Sequence, residues 1–230
     1  MKNNMKKQDT EKGVSLITLA DKASPVSEQY RTIRTNIQYS MIDHDLHTLV
    51  ITSSGPGEGK STTSANLAVV FADSGKKVLL VDADLRKPTV AKTFNLSNVN
   101  GLSSILGKRQ VNIQEIIQRS GVDNLHILPS GPKPPNPSEL LGSARMSRLI
   151  EELKHSYDLI IFDMPPVVTV TDAQILSSKA DGTIVVARED VSNREALRKA
   201  KSLLNYVDAN ILGVVYNGAR NMTEQGYYYG

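Results

Sequence analysis

The sequence of 230 residues contains neither cysteine nor tryptophan. Without thiols there are no disulfides and no thiolate metal sites, and a reducing compartment is the natural setting. No apolar run approaches the roughly 18–20 residues that a membrane-spanning helix needs. Met1–Gly13 lacks the apolar core of a signal peptide. Aromatic residues make up only 5%, and the formal net charge is +3. With no aromatic–basic clusters, a nucleic-acid partner is not expected. Of the four histidines, His126 and His155 are isolated, and His44 and His47 have no cysteine or third histidine near them in sequence. Solvated positions explain that pair better than a metal site. No tandem repeat is visible. A hydrophobic content of 40% and a charged content of 22% are ordinary for a globular protein, and the length suits one α/β domain.

What the sequence does have is a glycine-rich stretch, Ser54-Gly55-Pro56-Gly57-Glu58-Gly59-Lys60-Ser61-Thr62, between two apolar runs. The run before it, Thr48–Thr52, is β-branched like a buried parallel strand, and Ala65–Ala72 after it has helical spacing. Strand, glycine loop ending Gly-Lys-Ser, then helix is the arrangement of a phosphate-binding P-loop. Glycines let backbone N–H groups turn toward phosphate oxygens, and the helix N-terminus adds its positive dipole end. In that chemistry Lys60 reaches the β- and γ-phosphates, and the Ser61 hydroxyl ligates Mg²⁺. Ser54 stands where the usual pattern has glycine.

Further acids fall at strand ends. Lys77–Asp82 reads as a buried strand running into Asp82-Ala83-Asp84-Leu85-Arg86, and Asp158–Asp163 reads as another ending in Asp163. Carboxyl ends of parallel strands are where open α/β sheets place their sites. Asp163 is positioned like a Walker B acid, and Asp82 or Asp84 could take a proton from a hydroxyl nucleophile. Ser24-Pro25 starts a helix through about Tyr39, with Glu28, Arg31 and Arg34 recurring every third residue along one face. Short helices are expected near 101–107 and 113–119, a short strand at 125–128, and an ordered proline loop at 130–141. Ser143–His155 is an amphipathic helix, Thr183–Ala187 a strand, Arg194–Tyr206 a helix and Ile211–Asn217 a last strand. Alternating strands and helices predict an α/β P-loop NTPase fold: a doubly wound, mostly parallel sheet flanked by helices.

Taken together, the Ser54–Thr62 loop, the Asp82-Ala83-Asp84-Leu85-Arg86 motif and the Ile160-Ile161-Phe162-Asp163-Met164-Pro165-Pro166 motif resemble the bacterial tyrosine kinases of capsule and exopolysaccharide synthesis. The proline loop at 134–141 and the closing Tyr227-Tyr228-Tyr229 match that family too. The resemblance implies ATP and Mg²⁺ as cofactors. Gly57, Glu58, Gly59, Lys60, Ser61 and Thr62 would hold the phosphates, Ser61, Asp82 and Asp163 the metal, and Asn217 the adenine. Lys60, Asp82, Asp84 and Asp163 would be catalytic, with Asp82 taking the tyrosine proton. Arg86 either pairs with an acidic neighbour or senses phosphates. Tyr227, Tyr228 and Tyr229 would be phosphorylated between subunits of a ring assembled through Glu28, Arg31 and Arg34. A flexible stretch of eight to ten residues before the tyrosines spans roughly 15–18 Å on average, enough to reach a neighbouring site.

The family also implies a membrane-anchored activator of the polysaccharide co-polymerase type, a cognate tyrosine phosphatase, and a cytoplasmic location at the inner face of the membrane. On this reading residues 1–23 are a flexible arm, 24–217 the kinase domain with its oligomerisation helix, and 218–230 a flexible tyrosine tail. Two other readings share the P-loop: a partitioning-type ATPase switch, and a nucleotide-dependent assembly scaffold. The partitioning ATPases typically carry a second lysine early in the loop, where this chain has Gly55.

Overall fold

In the computed structural model, which describes residues 13–41, 45–107 and 111–219, the chain opens with a single helical turn, α1 (Ile17–Ala20), and then α2 (Pro25–Ser40). Strand β1 (Thr48–Ser53) leads into α3 (Lys60–Asp73), β2 (Val78–Asp82), α4 (Val90–Thr93), α5 (Leu102–Gly107) and α6 (Ile113–Ile116). Strands β3 (Gln118–Arg119) and β4 (Leu125–Leu128) follow, then helices α7 (Pro137–Gly142) and α8 (Ala144–Lys154), β5 (Leu159–Asp163) and α9 (Asp172–Ser177). The last elements are β6 (Gly182–Arg188), α10 (Arg194–Asn205) and β7 (Ile211–Asn217).

The seven strands form one sheet in the order β3-β4-β2-β5-β1-β6-β7, parallel throughout except at the antiparallel β3–β4 edge. Every residue of β1, β2 and β5 is buried. That is why these strands read as unbroken apolar runs, since both sheet faces are covered. Alternate side chains feed two cores. Val50, Leu79 and Val81 pack with α5, α8, α9 and α10, while Leu49, Ile51, Val78 and Leu80 pack with α2 and α3. The doubly wound, mostly parallel α/β architecture expected from the pattern is present. Among the described residues no helix is long and apolar enough to cross a membrane.

Two stretches depart from expectation. The helix begun at Ile113 stops at Ile116, and Gln118–Arg119 instead pair antiparallel with Ile127 and His126. The unfilled sheet edge captures them, a long-range gain that local periodicity does not show. Residues 13–23, assigned to a flexible arm, are instead packed on the body. The Thr18 N–H and hydroxyl both donate to Asn66 Oδ1, at 3.1 and 2.8 Å. The Asn66 amide in turn donates to the carbonyls of Ser15 and Thr62, at 2.9 Å each. Thr18 is 2% exposed and Asn66 fully buried. Residues 1–12 and His44 lie outside the described residues.

Helix α2 starts as expected: Pro25 occupies its first turn and the Ser24 hydroxyl accepts from the Ser27 N–H. Its Tyr30 and Ile37 are buried in the same core as α3. The Arg34 guanidinium donates to the Val70 carbonyl at 2.9 Å, satisfying one of the carbonyls left open in the last turn of α3.

The Asn66 hub makes a direct stability prediction. Asn66→Ala strands the buried Thr18 N–H and the Ser15 carbonyl, so it should cost about 2–4 kcal/mol. In urea unfolding the midpoint should fall with the slope unchanged. A midpoint equal to the parent's would show that the arm is not tied down.

Candidate active site

The phosphate-loop sequence adopts the geometry its glycines permit. Gly57 and Gly59 have φ of 78° and 92°, values that residues with a Cβ rarely take. Gly59 also lies so close to Asn217 that an added Cβ would meet the Asn217 amide nitrogen at 2.0 Å. Gly59 is the N-cap of α3, and no side chain caps that terminus. Its first N–H groups are therefore available to an anion, which the helix dipole favours.

The loop is braced from inside by the Glu58 carboxylate, 2% exposed. It accepts from the Ser54 hydroxyl at 2.6 Å, from the Gly55 N–H at 2.8 Å, and from the Ser192 hydroxyl. This gives Ser54 a purpose that a glycine could not serve. The last residue of β6 adds a second tie, with Arg188 donating to the Gly57 carbonyl at 3.1 Å.

Beside the loop, strand pairing brings the acids together. Asp82 and Asp163 are register partners at the carboxyl ends of β2 and β5, and both are fully buried. Asp84, 3% exposed, lies just beyond. Lys60 reaches over from the start of α3, its ammonium 3.0 Å from Asp84 Oδ2 and 3.9 Å from Asp163 Oδ1, and donates to Ser61 Oγ at 3.1 Å. Ser64 donates to Asp163 Oδ1 at 3.0 Å, and the Thr89 and Val90 N–H groups donate to Asp82 Oδ2 at 3.0 and 2.9 Å. Asp82 Oδ1 and Asp163 Oδ2 are buried without a hydrogen-bond partner.

Burial, followed by the facing charge of Asp163, pushes the Asp82 carboxyl well above the ordinary aspartate value. Asp163 is also raised by burial, with the Lys60 charge and hydrogen bonds from Ser61 and Ser64 pulling the other way. Burial alone would lower the Lys60 ammonium, but the charges of Asp163 and Asp84 outweigh it and shift it upward. Lys60, Ser61, Asp82, Asp84 and Asp163 thus converge as expected. The uncapped start of α3 thus adjoins the carboxylates, with the Lys60 ammonium paired to Asp84 and near Asp163. No cluster of three or more His, Asp or Glu able to hold a metal occurs among the described residues. A magnesium ion held jointly with phosphates needs only one or two carboxylates.

Arg86 is resolved in favour of an acidic neighbour. Its Nε and Nη2 donate to the two oxygens of Asp172, at 2.8 and 2.9 Å. Asp172 opens α9 and is fully buried, and as a single acidic residue outside any motif it carries no local sequence signal. Asn217 ends β7 with its amide 3.3 Å from the Glu58 carbonyl. Glu28 and Arg31 form an exposed ion pair on α2, whereas Arg34 turns inward to Val70, so these three do not share one solvated stripe. Tyr227, Tyr228 and Tyr229 lie outside the described residues. An apolar groove of about 960 Å³ opens between α2 and β7 and meets the loop region at Thr63 and Asn217. Its lining holds no charged side chain, so the chemistry belongs to the lysine–carboxylate cluster.

A carboxyl that holds its proton more tightly folded than unfolded makes stability fall as pH rises above the ordinary aspartate value. Asp82→Asn keeps an oxygen for the Thr89 and Val90 N–H groups. Nucleotide-free Asp82→Asn should therefore melt at least about 2–4 °C higher at pH 7.5, the shift produced by one kcal/mol at this size. The advantage should shrink as pH falls toward about 4. Equal melting temperatures at both pH values would mean that the acid cluster carries no electrostatic strain.

Comparison with known proteins agrees with this geometry. The AAA domain family matches residues 46–211. The tyrosine-protein kinase YwqD of Bacillus subtilis is 48% identical over 216 residues, covering 93% of this chain and 91% of that protein. A putative tyrosine-protein kinase, CapB of Staphylococcus aureus, is 39% identical, covering 90% of each. Among solved structures, the kinase domain of the Escherichia coli tyrosine kinase ETK superposes with a TM-score of 0.87 at 33% identity, covering 95% of this chain and 86% of that one. The septum site-determining protein MinD of Pyrococcus horikoshii, solved with Mg-ADP, is more distant: TM-score 0.62, 25% identity, covering 74% and 70%. With relatives this similar along almost their whole length, the chain belongs to the bacterial tyrosine-protein kinase family.

Proposed function

We propose that this kinase uses ATP and Mg²⁺ to phosphorylate Tyr227, Tyr228 and Tyr229 of neighbouring subunits in a ring, and so regulates capsule or exopolysaccharide synthesis and export. The observation that carries the reading is the approach of Lys60 to Asp84 and Asp163 beside the uncapped N-terminus of α3. The buried, unpartnered oxygens of Asp82 and Asp163 fit a site completed by a cation.

Bound there, the magnesium–nucleotide supplies the phosphoryl group and a charge that offsets the carboxylates. The chain's own groups do the remaining work. The Gly57–Thr62 amides and Lys60 would hold phosphate oxygens, Ser61 and Asp163 would hold the metal, and Asn217 would read the base. Asp82 accepts the phenol proton through its Oδ1, which is buried without a hydrogen-bond partner. Asp84, released when Lys60 turns to phosphate, helps orient the acceptor. Positioning and charge neutralisation suffice for a loose phosphoryl-transfer transition state.

Assembly through α2 is supported by its outward Glu28–Arg31 pair and by apolar exposure in the groove: Val26 45%, Val214 60% and Tyr216 59%. Patches of this kind mark contact surfaces. We place the protein at the inner face of the membrane through a membrane-anchored activator of the co-polymerase type, with a tyrosine phosphatase resetting the tail.

The test is intact-mass analysis after incubation with ATP and Mg²⁺, with and without a candidate activator peptide. Phosphate should appear on Tyr227–Tyr229, be lost by at least about a hundredfold in Lys60→Met, and be absent from the triple Phe variant. ATP consumption with no added mass would favour an ATPase switch instead.

A further inference from the structure

Arg86 and Asp172 stand apart from the phosphate-holding groups yet adjoin the acid cluster. Asp172 is completely buried, and both its oxygens are engaged: Oδ2 by Arg86 Nε, and Oδ1 by Arg86 Nη2 and, at 2.6 Å, by the Ser138 hydroxyl. Burying a carboxylate is costly unless it is paired and hydrogen-bonded in good geometry. The planar fork of arginine meets both requirements, as lysine could not. Such a pair contributes little net stability over apolar side chains, so what it holds in place matters more than what it adds.

It holds Asp84. The N–H groups of Arg86 and Lys87 donate to Asp84 Oδ1, at 3.3 and 2.9 Å. Anchoring the Arg86 side chain therefore fixes the turn that grips the Asp84 carboxylate. The guanidinium is also close enough to Asp84 for their charges to interact. Asp84 Oδ2, by contrast, is held by Lys60, the cation that a phosphate ligand would draw away. Arg86 cannot follow it, because Asp172 holds two of its donor edges. Ser138 extends the anchor to α7 behind the proline loop, and Asp172 to α9 behind the loop that follows Asp163. The phosphate loop has its own brace, Glu58 with Ser54 and Ser192, and shares no hydrogen bond with Arg86, Asp172 or Ser138 among those described.

We infer that Asp172 and Arg86 are a positioning pair for phosphoryl transfer: they keep Asp84 in place on the acceptor side once Lys60 has turned to the nucleotide, without contributing to nucleotide affinity. The inference rests on the kinase reading above, because it assigns Asp84 to the acceptor side.

The experiment compares wild type with Asp172→Asn, Arg86→Lys and the double variant. It measures transfer rate against ATP and against a peptide of residues 218–230, affinity for a fluorescent ADP, melting temperature, and amide hydrogen exchange with ADP and Mg²⁺ present. Each single variant should lose between about tenfold and a hundredfold in kcat, with ADP affinity within about twofold of wild type. The double variant should be no slower than the worse single one, as for residues acting as a unit. Exchange at the Arg86 and Lys87 amides should accelerate by about tenfold or more, while amides of residues 57–62 stay protected.

A folded Asp172→Asn with unchanged kcat overturns the inference. So does loss of rate, ADP affinity and melting temperature together, which would make the pair general scaffolding. If wild type itself transfers nothing to tyrosine, the kinase reading fails, and the exchange pattern still decides whether the pair holds the Asp84 turn.

Discussion

An electrostatic constraint organises this molecule. Asp82, Asp84 and Asp163 are buried side by side at the carboxyl edge of the sheet, and Lys60 makes ion pairs with the last two. Carboxylates so close in a dry setting cannot all ionise without help, and the upward shifts of Asp82 and Asp163 record the unmet demand. A protein selected for stability alone would place apolar residues here. Retaining the cluster makes sense where a further cation and a phosphate-bearing ligand complete it, because the same charges then become attractive.

Lys60 is pivotal because it belongs to two partners. In the structure it offsets carboxylates, while its place at the start of α3 puts it beside amides suited to phosphate. A ligand that draws it toward phosphate uncovers an acid in the same movement.

The scaffold holds the two halves of the site by different means. On the phosphate side a buried glutamate gathers Ser54, the Gly55 amide and Ser192, tying the glycine loop to the segment after β6. On the other side Arg86, Asp172 and Ser138 join the turn after β2, the start of α9 and the start of α7. Behind both, α2 is fastened to the tail of α3 by Arg34 and shares its core through Tyr30. A helix with an outward ion pair is thus in firm contact with the helix whose first residue is the site's lysine.

Much of this was legible in the sequence because it depends on local rules. A buried parallel strand must be a continuous apolar run, a phosphate loop must have glycine where φ is positive, and a helix follows the loop, its apolar spacing legible from Ala65 although α3 itself starts at Lys60. β1, β2, β5 and the loop between β1 and α3 followed from those rules, and so did the acids ending β2 and β5. Other features depended on which segments meet in space. Gln118–Arg119 became a strand because an edge was open, residues 13–23 packed because Asn66 offered both a donor and an acceptor, and Arg34 left its helical stripe to cap α3. Asp172 and Ser138 carry no local signature, and Arg86 had two plausible partners until the sheet brought β2 and β5 together. The sequence by itself determined the elements and the chemistry at their ends, since both are written in short-range pattern. Tertiary structure alone decided which charges are paired and which are left open, because pairing depends on distances between residues far apart in the chain.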